Sequence, residues 1–407
     1  MNIVPANVLA YFQPIFAIDT GETHAFEVLG RYQTAGGVIS LGPFFEDKNT
    51  AGADALTVDR LVRRDALRRY AAADSEEFLF INLRLGWIAQ FADRPEEMPT
   101  LKWAQELGVN PRKLVIEITE EEFNADIREF SAVLAYYKHL GCRVAIDDYG
   151  KEASNLDRLA RLEPSYLKIN MDYIHRCGNL YYREYLRALI SFAKQVGIEV
   201  ICEGVETEKQ LAACIAAGGR YYQGYLLARP QPELRRDAVN QEIFRGVFDR
   251  TIEDLHGAVT MRNVLRRDWE QRLQTYLAAR TFVAQDDADA YLGALCRDMI
   301  ADIRHVKRMY ICDRRGKQLS SNFENHRGTV TALDYRERNW AWRGYFQDFT
   351  EIYAAGGRNH ITGFYIDATS QEEIYTYIHA LDAETFLFID LQNYLKWFEK
   401  NAAEKGD

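Results

Sequence analysis

Four short apolar segments in the first 230 residues carry acids where a buried strand would be expected to carry none. They read AFEVLG, LVIEITE, RVAIDDYG and EVICEGVE, and the acids are Glu27, Glu117, the adjacent Asp147 and Asp148, and Glu203. A buried carboxylate is costly unless it is paired, hydrogen-bonded or bound to a metal. Several of them at the ends of successive apolar runs predict one converging, oxygen-rich site, the donor set that hard divalent cations prefer.

Each residue also has a plainer reading. Glu117, between Ile116 and Ile118, would fit a solvated edge position, and Glu27 an exposed strand position. Asp147 and Asp148 are adjacent like charges that favour a cation beside them, yet DDxG alone is more often a turn. Asn82 would serve as a strand-end cap. Glu203 and Glu206 would fit the first turn of a helix over 207–217, where acids are favoured. Lys168 in SYLKIN is either an exposed strand end or, beside metals, a hold on phosphate or water. Arg31, four residues after Glu27, offers a planar fork for a phosphate.

The elements that would position these residues alternate. Strand-like runs fall at 11–18, 25–30, 78–83, 114–119, 143–147, 166–169, 198–202 and 220–222, with amphipathic helical stretches at 56–71, 121–141 and 182–197. Strands separated by helices imply a mainly parallel sheet, and about eight such units fit a closed, modified TIM-type (β/α) barrel. In such a barrel chemistry sits at the C-terminal strand ends, where these acids lie. After Pro230 and Pro232 a long helical stripe runs over about 234–280, including Phe244, Phe248, Leu265, Trp269 and Leu273. The rest reads as an α+β module. The expected division is a barrel over 1–232, a connecting helix over 233–284 and a sensor or dimerisation domain over 285–407.

Bulk properties narrow the function. The 407 residues carry a formal charge of −10, which argues against a nucleic-acid polymer as partner. The six cysteines form no CxxC pair and read as free thiols in a reducing compartment. No apolar run reaches the length of a membrane span and the N-terminus is not patterned as a signal peptide, so the expectation is cytoplasmic.

Taken together, the motifs resemble those of the EAL-domain phosphodiesterases that hydrolyse cyclic di-GMP. Glu27-Val28-Leu29 stands for the signature triplet, followed by Arg31 and preceded by Gln13-Pro14-Ile15. Asn82, the Glu117/Glu120 pair, Asp147-Asp148-Tyr149-Gly150, Lys168, the Glu203/Glu206 pair and Gln223-Gly224-Tyr225 follow in the family's order. The resemblance covers about residues 8–232. It implies two Mg²⁺ or Mn²⁺ ions, with Glu27, Asn82, Glu117 and Asp147 on the first and Asp147 and Asp148 on the second. It further implies that Lys168 and Glu203 orient and activate water and that Gln13, Arg31 and Gln223 bind substrate. Glu120 and Glu206 would anchor the loop after Asp148, the product would be pGpG, and family habit together with the helix stripe favours a homodimer.

Two departures bear on activity. The family's KID motif reads Lys168-Ile169-Asn170, which removes a negative charge and predicts weaker binding of the second metal or a mis-set loop. The loop after the paired aspartates reads Lys151-Glu152-Ala153-Ser154-Asn155-Leu156, without the family's Thr-Gly. Both predict reduced catalysis and support an alternative, a cyclic di-GMP receptor. The C-terminal module has a fainter resemblance to PAS or Cache-like sensor domains. There Arg338, Trp340, Trp342, Arg343 and Asp367 would line a pocket for an unknown small ligand, the plainer reading being an aromatic core with solvated arginines.

Overall fold

In a computed structural model, residues 3–47, 52–119, 127–150, 156–283, 287–299, 305–326, 328–367 and 370–392 are described. The chain divides into two compact units, 1–253 and 254–407. The division falls inside one continuous helix, Gln241–Ala278, and not at the ends of a separate connecting segment. The reason lies in the stripe: Phe244 and Val247 pack into the first core, while Leu265, Trp269 and Leu273 belong to the second.

The first unit is a barrel built from β1 (Val8–Ala17), β2 (Glu22–Thr34), β4 (Phe78–Asn82), β5 (Leu114–Thr119), β6 (Arg143–Tyr149), β7 (Tyr166–Ile169), β8 (Glu199–Cys202) and β9 (Tyr221–Tyr222), with a short flap, β3 (Gly37–Ser40), beside β2. The sheet order is β1-β9-β8-β7-β6-β5-β4-β2-β3, and β1–β2 pairing closes the ring. From β2 and β4 through to β9 the neighbouring barrel strands are parallel, whereas β1 is antiparallel to both of its neighbours. The chain between β1 and β2 is too short for the crossover that a parallel pair needs, so a hairpin forms instead. Helices Gly52–Ala72 and Leu180–Gln195 bury Ala66, Leu67, Leu186 and Ile190 against the outer face of the strands.

The inside of the barrel has a different core. Ile15, Ala17, Ala25, Phe80, Val115, Ala145, Tyr166, Ile201 and Tyr221 form an apolar cluster made of strand residues alone. Below it, the His24 ring packs at a tilt on Tyr221, 4.4 Å between centroids, and meets the Tyr166 hydroxyl at 3.0 Å.

The second unit is an antiparallel sheet in the order β12-β11-β10-β16-β15-β13, with β14 on β15. The strands are β10 (Val306–Asp313), β11 (Asn322–His326), β12 (Thr329–Leu333), β13 (Asn359–Ile361), β14 (Tyr365–Ile366), β15 (Glu373–Ala380) and β16 (Thr385–Gln392). Alternation separates its faces. Met309, Ile311, Leu387 and Ile389 face the core that holds Trp269, while Tyr310, Cys312, Phe386 and Phe388 pack with Phe346 and Phe349 of helix Gly344–Ala354. This is the α+β architecture expected from the sequence. All six cysteines are free and buried. No helix among the described residues is long and apolar enough to cross a membrane.

Candidate active site

Residues two apart on a strand share a face. One such step from the inner apolar cluster toward the same end of the barrel reaches Gln13, Glu27, Asn82, Glu117, Asp147, Lys168, Glu203 and Gln223. On the parallel strands the step runs toward the C-terminal end. On β1 it runs backwards, because that strand is reversed. A polar layer therefore sits directly on an apolar one, and the strand period alone brings together residues spread over some two hundred positions of chain.

Lys168 lies among four carboxylates. Its Nζ is 3.3 Å from Glu27 Oε2, 3.2 Å from Asp147 Oδ1 and 2.5 Å from Glu203 Oε1, and it ion-pairs with Glu117. Glu117 is wholly buried, and neither of its oxygens has a well-formed hydrogen bond among the described residues. Asn82 Nδ2 donates to Glu27 Oε1 at 3.4 Å and Gln223 Nε2 to Glu27 Oε2 at 2.6 Å.

The charges do not balance. Burial, together with the neighbouring acids and against the pull of Lys168, pushes the Glu117 and Glu203 carboxyls well above the usual range. Burial would also lower Lys168, but Asp147, Glu117, Glu203 and Glu27 together hold it well above its ordinary value. One ammonium facing four carboxylates leaves room for more positive charge. Oxygens of Glu117, Asp147 and Glu203 lie within 4.8 Å of one another. An all-oxygen, acid-rich, partly unsatisfied cluster fits a hard divalent cation.

Asp148 does not join this cluster. Its backbone turns left-handed, with φ 56°, its N–H donates to Asp147 Oδ1 at 2.9 Å, and its Oδ1 accepts from Asn170 Nδ2 at 2.7 Å. Glu203 and Glu206 precede the following helix, Glu208–Ala216, which Thr207 caps, so neither lies in its first turn. Glu206 stands outside the acid cluster, its carboxylate half-exposed and 4.0 Å from His175. Glu120 and the altered loop 151–155 lie outside the described residues.

Two further groups border the layer. Gln13 pairs with Glu27 across the β1–β2 hairpin, and its amide donates to Ala228 O at 3.1 Å. Arg31 lies over the Tyr11 ring at 5.8 Å and donates to Gly30 O at 2.9 Å. Tyr225, half-exposed beneath Arg229 at 4.4 Å, presents an aromatic face that the sequence reading had noted only as part of a motif. Gly224 is required by close approach, since a Cβ there would meet the Val205 backbone at 2.1 Å.

Of the five residues singled out in the second unit, Arg343 lies over the rings of both Trp340 and Trp342, at 5.9 and 4.6 Å, while Asp367 pairs elsewhere. Arg338 covers Tyr335 at 4.0 Å, and Arg343 covers Trp342, which is two-thirds exposed. Trp340 Nε1 donates to Gln318 Oε1 at 2.6 Å. Asp367 instead pairs with Arg308 at 2.8 Å, and Arg308 also holds the buried Asp390 at 2.7 Å. The sequence reading missed Arg308. The signal was an arginine on the same strand face as Tyr310 and Cys312.

Comparison with known proteins places this geometry. Residues 5–230 match the EAL domain, and residues 236–403 match an EAL-domain associated signalling protein domain. The uncharacterized EAL-domain containing protein YkuI of Bacillus subtilis (strain 168) is 31% identical over 95% of this chain and 94% of its own length. The crystal structure of YkuI in complex with c-di-GMP and calcium superposes with a TM-score of 0.86 at 30% identity, covering 95% of this chain and 97% of that one. Cyclic di-GMP phosphodiesterase RocR of Pseudomonas aeruginosa is 28% identical over 55% of this chain and 57% of its own.

Proposed function

Because this chain belongs to the EAL-domain family, we propose that its barrel binds cyclic di-GMP with divalent cations and hydrolyses it to pGpG. The observation that carries the reading is the polar layer, in which four carboxylates surround one buried ammonium and Glu117 has no well-formed hydrogen bond among the described residues. Glu27, Asn82, Glu117 and Asp147 would hold a first Mg²⁺ or Mn²⁺, and Asp147 and Asp148 a second. Bound there, the cations supply Lewis-acid activation of water and neutralisation of phosphate charge.

The chain's own residues supply the rest. Glu203, its proton affinity raised by burial, is placed to take the proton of an attacking water. Lys168 holds Glu203 Oε1 at 2.5 Å and fixes its direction. Gln223 and Asn82 hold Glu27 from two sides. Arg31 lies on the strand of Glu27, at the rim, where its fork suits a phosphate. The new P–O bond forms as the bond from phosphorus to the ribose 3′ oxygen breaks, and that oxygen leaves with a proton. The linear dinucleotide pGpG results.

A second reading, a cyclic di-GMP receptor with slow turnover, is favoured by the amide that Asn170 directs at Asp148. Calorimetric titration of cyclic di-GMP with Mn²⁺ and then with chelator tests the binding common to both. Metal-dependent binding supports them, and no binding under either condition would overturn both. A homodimer and a role for the second unit in controlling the barrel complete the proposal.

A further inference from the structure

The end of the barrel opposite the acid layer carries an arginine whose charge meets no counter-charge. Arg143 opens β6. Its guanidinium lies over the Phe78 ring at 4.1 Å and the Tyr166 ring at 5.7 Å, and its Nη1 donates to the Tyr166 hydroxyl at 2.6 Å. Both partners are uncharged, since burial raises the Tyr166 pKa and keeps its proton in place. Two acids at this end, Asp19 and Glu199, are engaged by Arg220 instead, Asp19 at 2.7 Å. Arg143 makes no ion pair among the described residues. A guanidinium stays charged at any working pH, so this end of the barrel is left with positive charge. His24 registers it: burial lowers its pKa, with Arg143 and Arg220 adding to the effect.

Arg143 also lines a cavity of about 810 Å³, walled by helices Leu156–Leu162 and Leu180–Gln195 and by the starts of β6, β7 and β8. Leu159, Pro164, Phe192, Val196 and Ile198 make most of its wall apolar. Of its two acids, Glu199 is neutralised by Arg220 and Glu163 is exposed to solvent. A mainly apolar cavity of this size with a few placed polar groups is the usual form of a small-molecule site. We propose that it is a second binding site, for a carboxylate carried on an apolar body. The carboxylate sits on Arg143, whose planar fork matches it, and the body lies against Leu159, Phe192 and Val196. Phe78 and Tyr166 hold the fork in place before the ligand arrives. The site is separate from the acid layer, because Tyr166 belongs to the inner apolar cluster, one strand step below Lys168. It stands whether or not the barrel hydrolyses a nucleotide.

Calorimetric titration of the full-length protein with octanoate, octan-1-ol and acetate tests this. Octanoate is expected to bind. Octanol lacks the charge and acetate lacks the apolar body, so each should bind at least about 10-fold more weakly. Arg143→Gln should weaken octanoate by about 10–100-fold, the scale of a lost hydrogen bond between charged groups. That change also removes a contact to Tyr166, so a second variant is needed that leaves the core alone. Val196 is 54% exposed, and Val196→Glu sets a like charge at the cavity wall. It should abolish octanoate binding in a folded protein. Octanol bound as tightly as octanoate would overturn the proposal, leaving only an apolar groove. So would equal octanoate binding by wild type and Val196→Glu, or no octanoate binding at millimolar concentration.

Discussion

Gln223 Nε2 donates to Glu27 Oε2 over 2.6 Å, joining residues 196 apart in sequence. The bond spans the seam where β1 lies between β9 and β2 and closes the ring. The strand order that closes the barrel thus also brings these two site residues together. Gln223→Ala removes a charge-assisted hydrogen bond and leaves Glu27 short of a donor in an acid-rich layer. It should lower stability by about 1.5–3 kcal/mol in chemical denaturation and weaken Mn²⁺ binding in the same protein.

Lys168→Met takes the ammonium from the middle of the acids. Removing one partner of a buried ion cluster costs about 3–5 kcal/mol, so the metal-free protein should melt well below wild type. Saturating Mn²⁺ should then raise the Tm of Lys168→Met more than that of wild type, because the cation relieves a larger repulsion. Differential scanning fluorimetry with and without Mn²⁺ reads both shifts.

His24, at the opposite end of the barrel, carries a pH signature. Burial, with Arg143 and Arg220 nearby, lowers its pKa to about 4. The unfolded chain binds the proton near 6.5, so the native state is fully favoured above that pH and loses stability as pH falls from 6.5 toward 4. The contribution is at most about 3 kcal/mol, and less once solvent screening of a partly exposed ring is allowed for. His24→Phe keeps the ring packing against Phe78 and Tyr221. It should flatten the acid limb of Tm against pH over that window.

In the second unit Arg308 neutralises two acids, Asp390 at 2.7 Å and Asp367 at 2.8 Å. Asp390 is 2% exposed and also accepts from Thr376 Oγ1 at 2.8 Å. Arg308→Met would strand a buried carboxylate and cost about 3–5 kcal/mol. The double variant Arg308→Met with Asp390→Asn should recover part of that loss in thermal melts. Equal stability of the single variant and wild type would remove the network from the account.

The strand ends were legible because a period of two is written directly into the chain: an apolar residue, one residue, then the polar one. Ala25 and Glu27, Val115 and Glu117, and Tyr166 and Lys168 all show it. The eight predicted strand runs each correspond to a barrel strand. The reversed direction of β1 was less legible, since it depends on the length of a connection and not on a pattern. The separation of Asp148 from Asp147 was hidden because a left-handed residue ends the alternation there. The long helix contributes Phe244 and Val247 to one core and Leu265, Trp269 and Leu273 to the other, a division that its continuous stripe does not mark. In the second unit, a resemblance to Cache-like domains grouped Arg338, Trp340, Trp342, Arg343 and Asp367, whereas the fold pairs Asp367 with Arg308.

Turnover is the most direct test of the central claim. Purified full-length protein is incubated with cyclic di-GMP and Mg²⁺ or Mn²⁺, and the nucleotides are separated by chromatography. Metal-dependent formation of pGpG is expected, abolished by chelator and by Glu117→Gln, which keeps the shape of the buried acid and removes its charge. Tight, metal-dependent binding of cyclic di-GMP with no pGpG would contradict hydrolysis and leave the barrel a receptor.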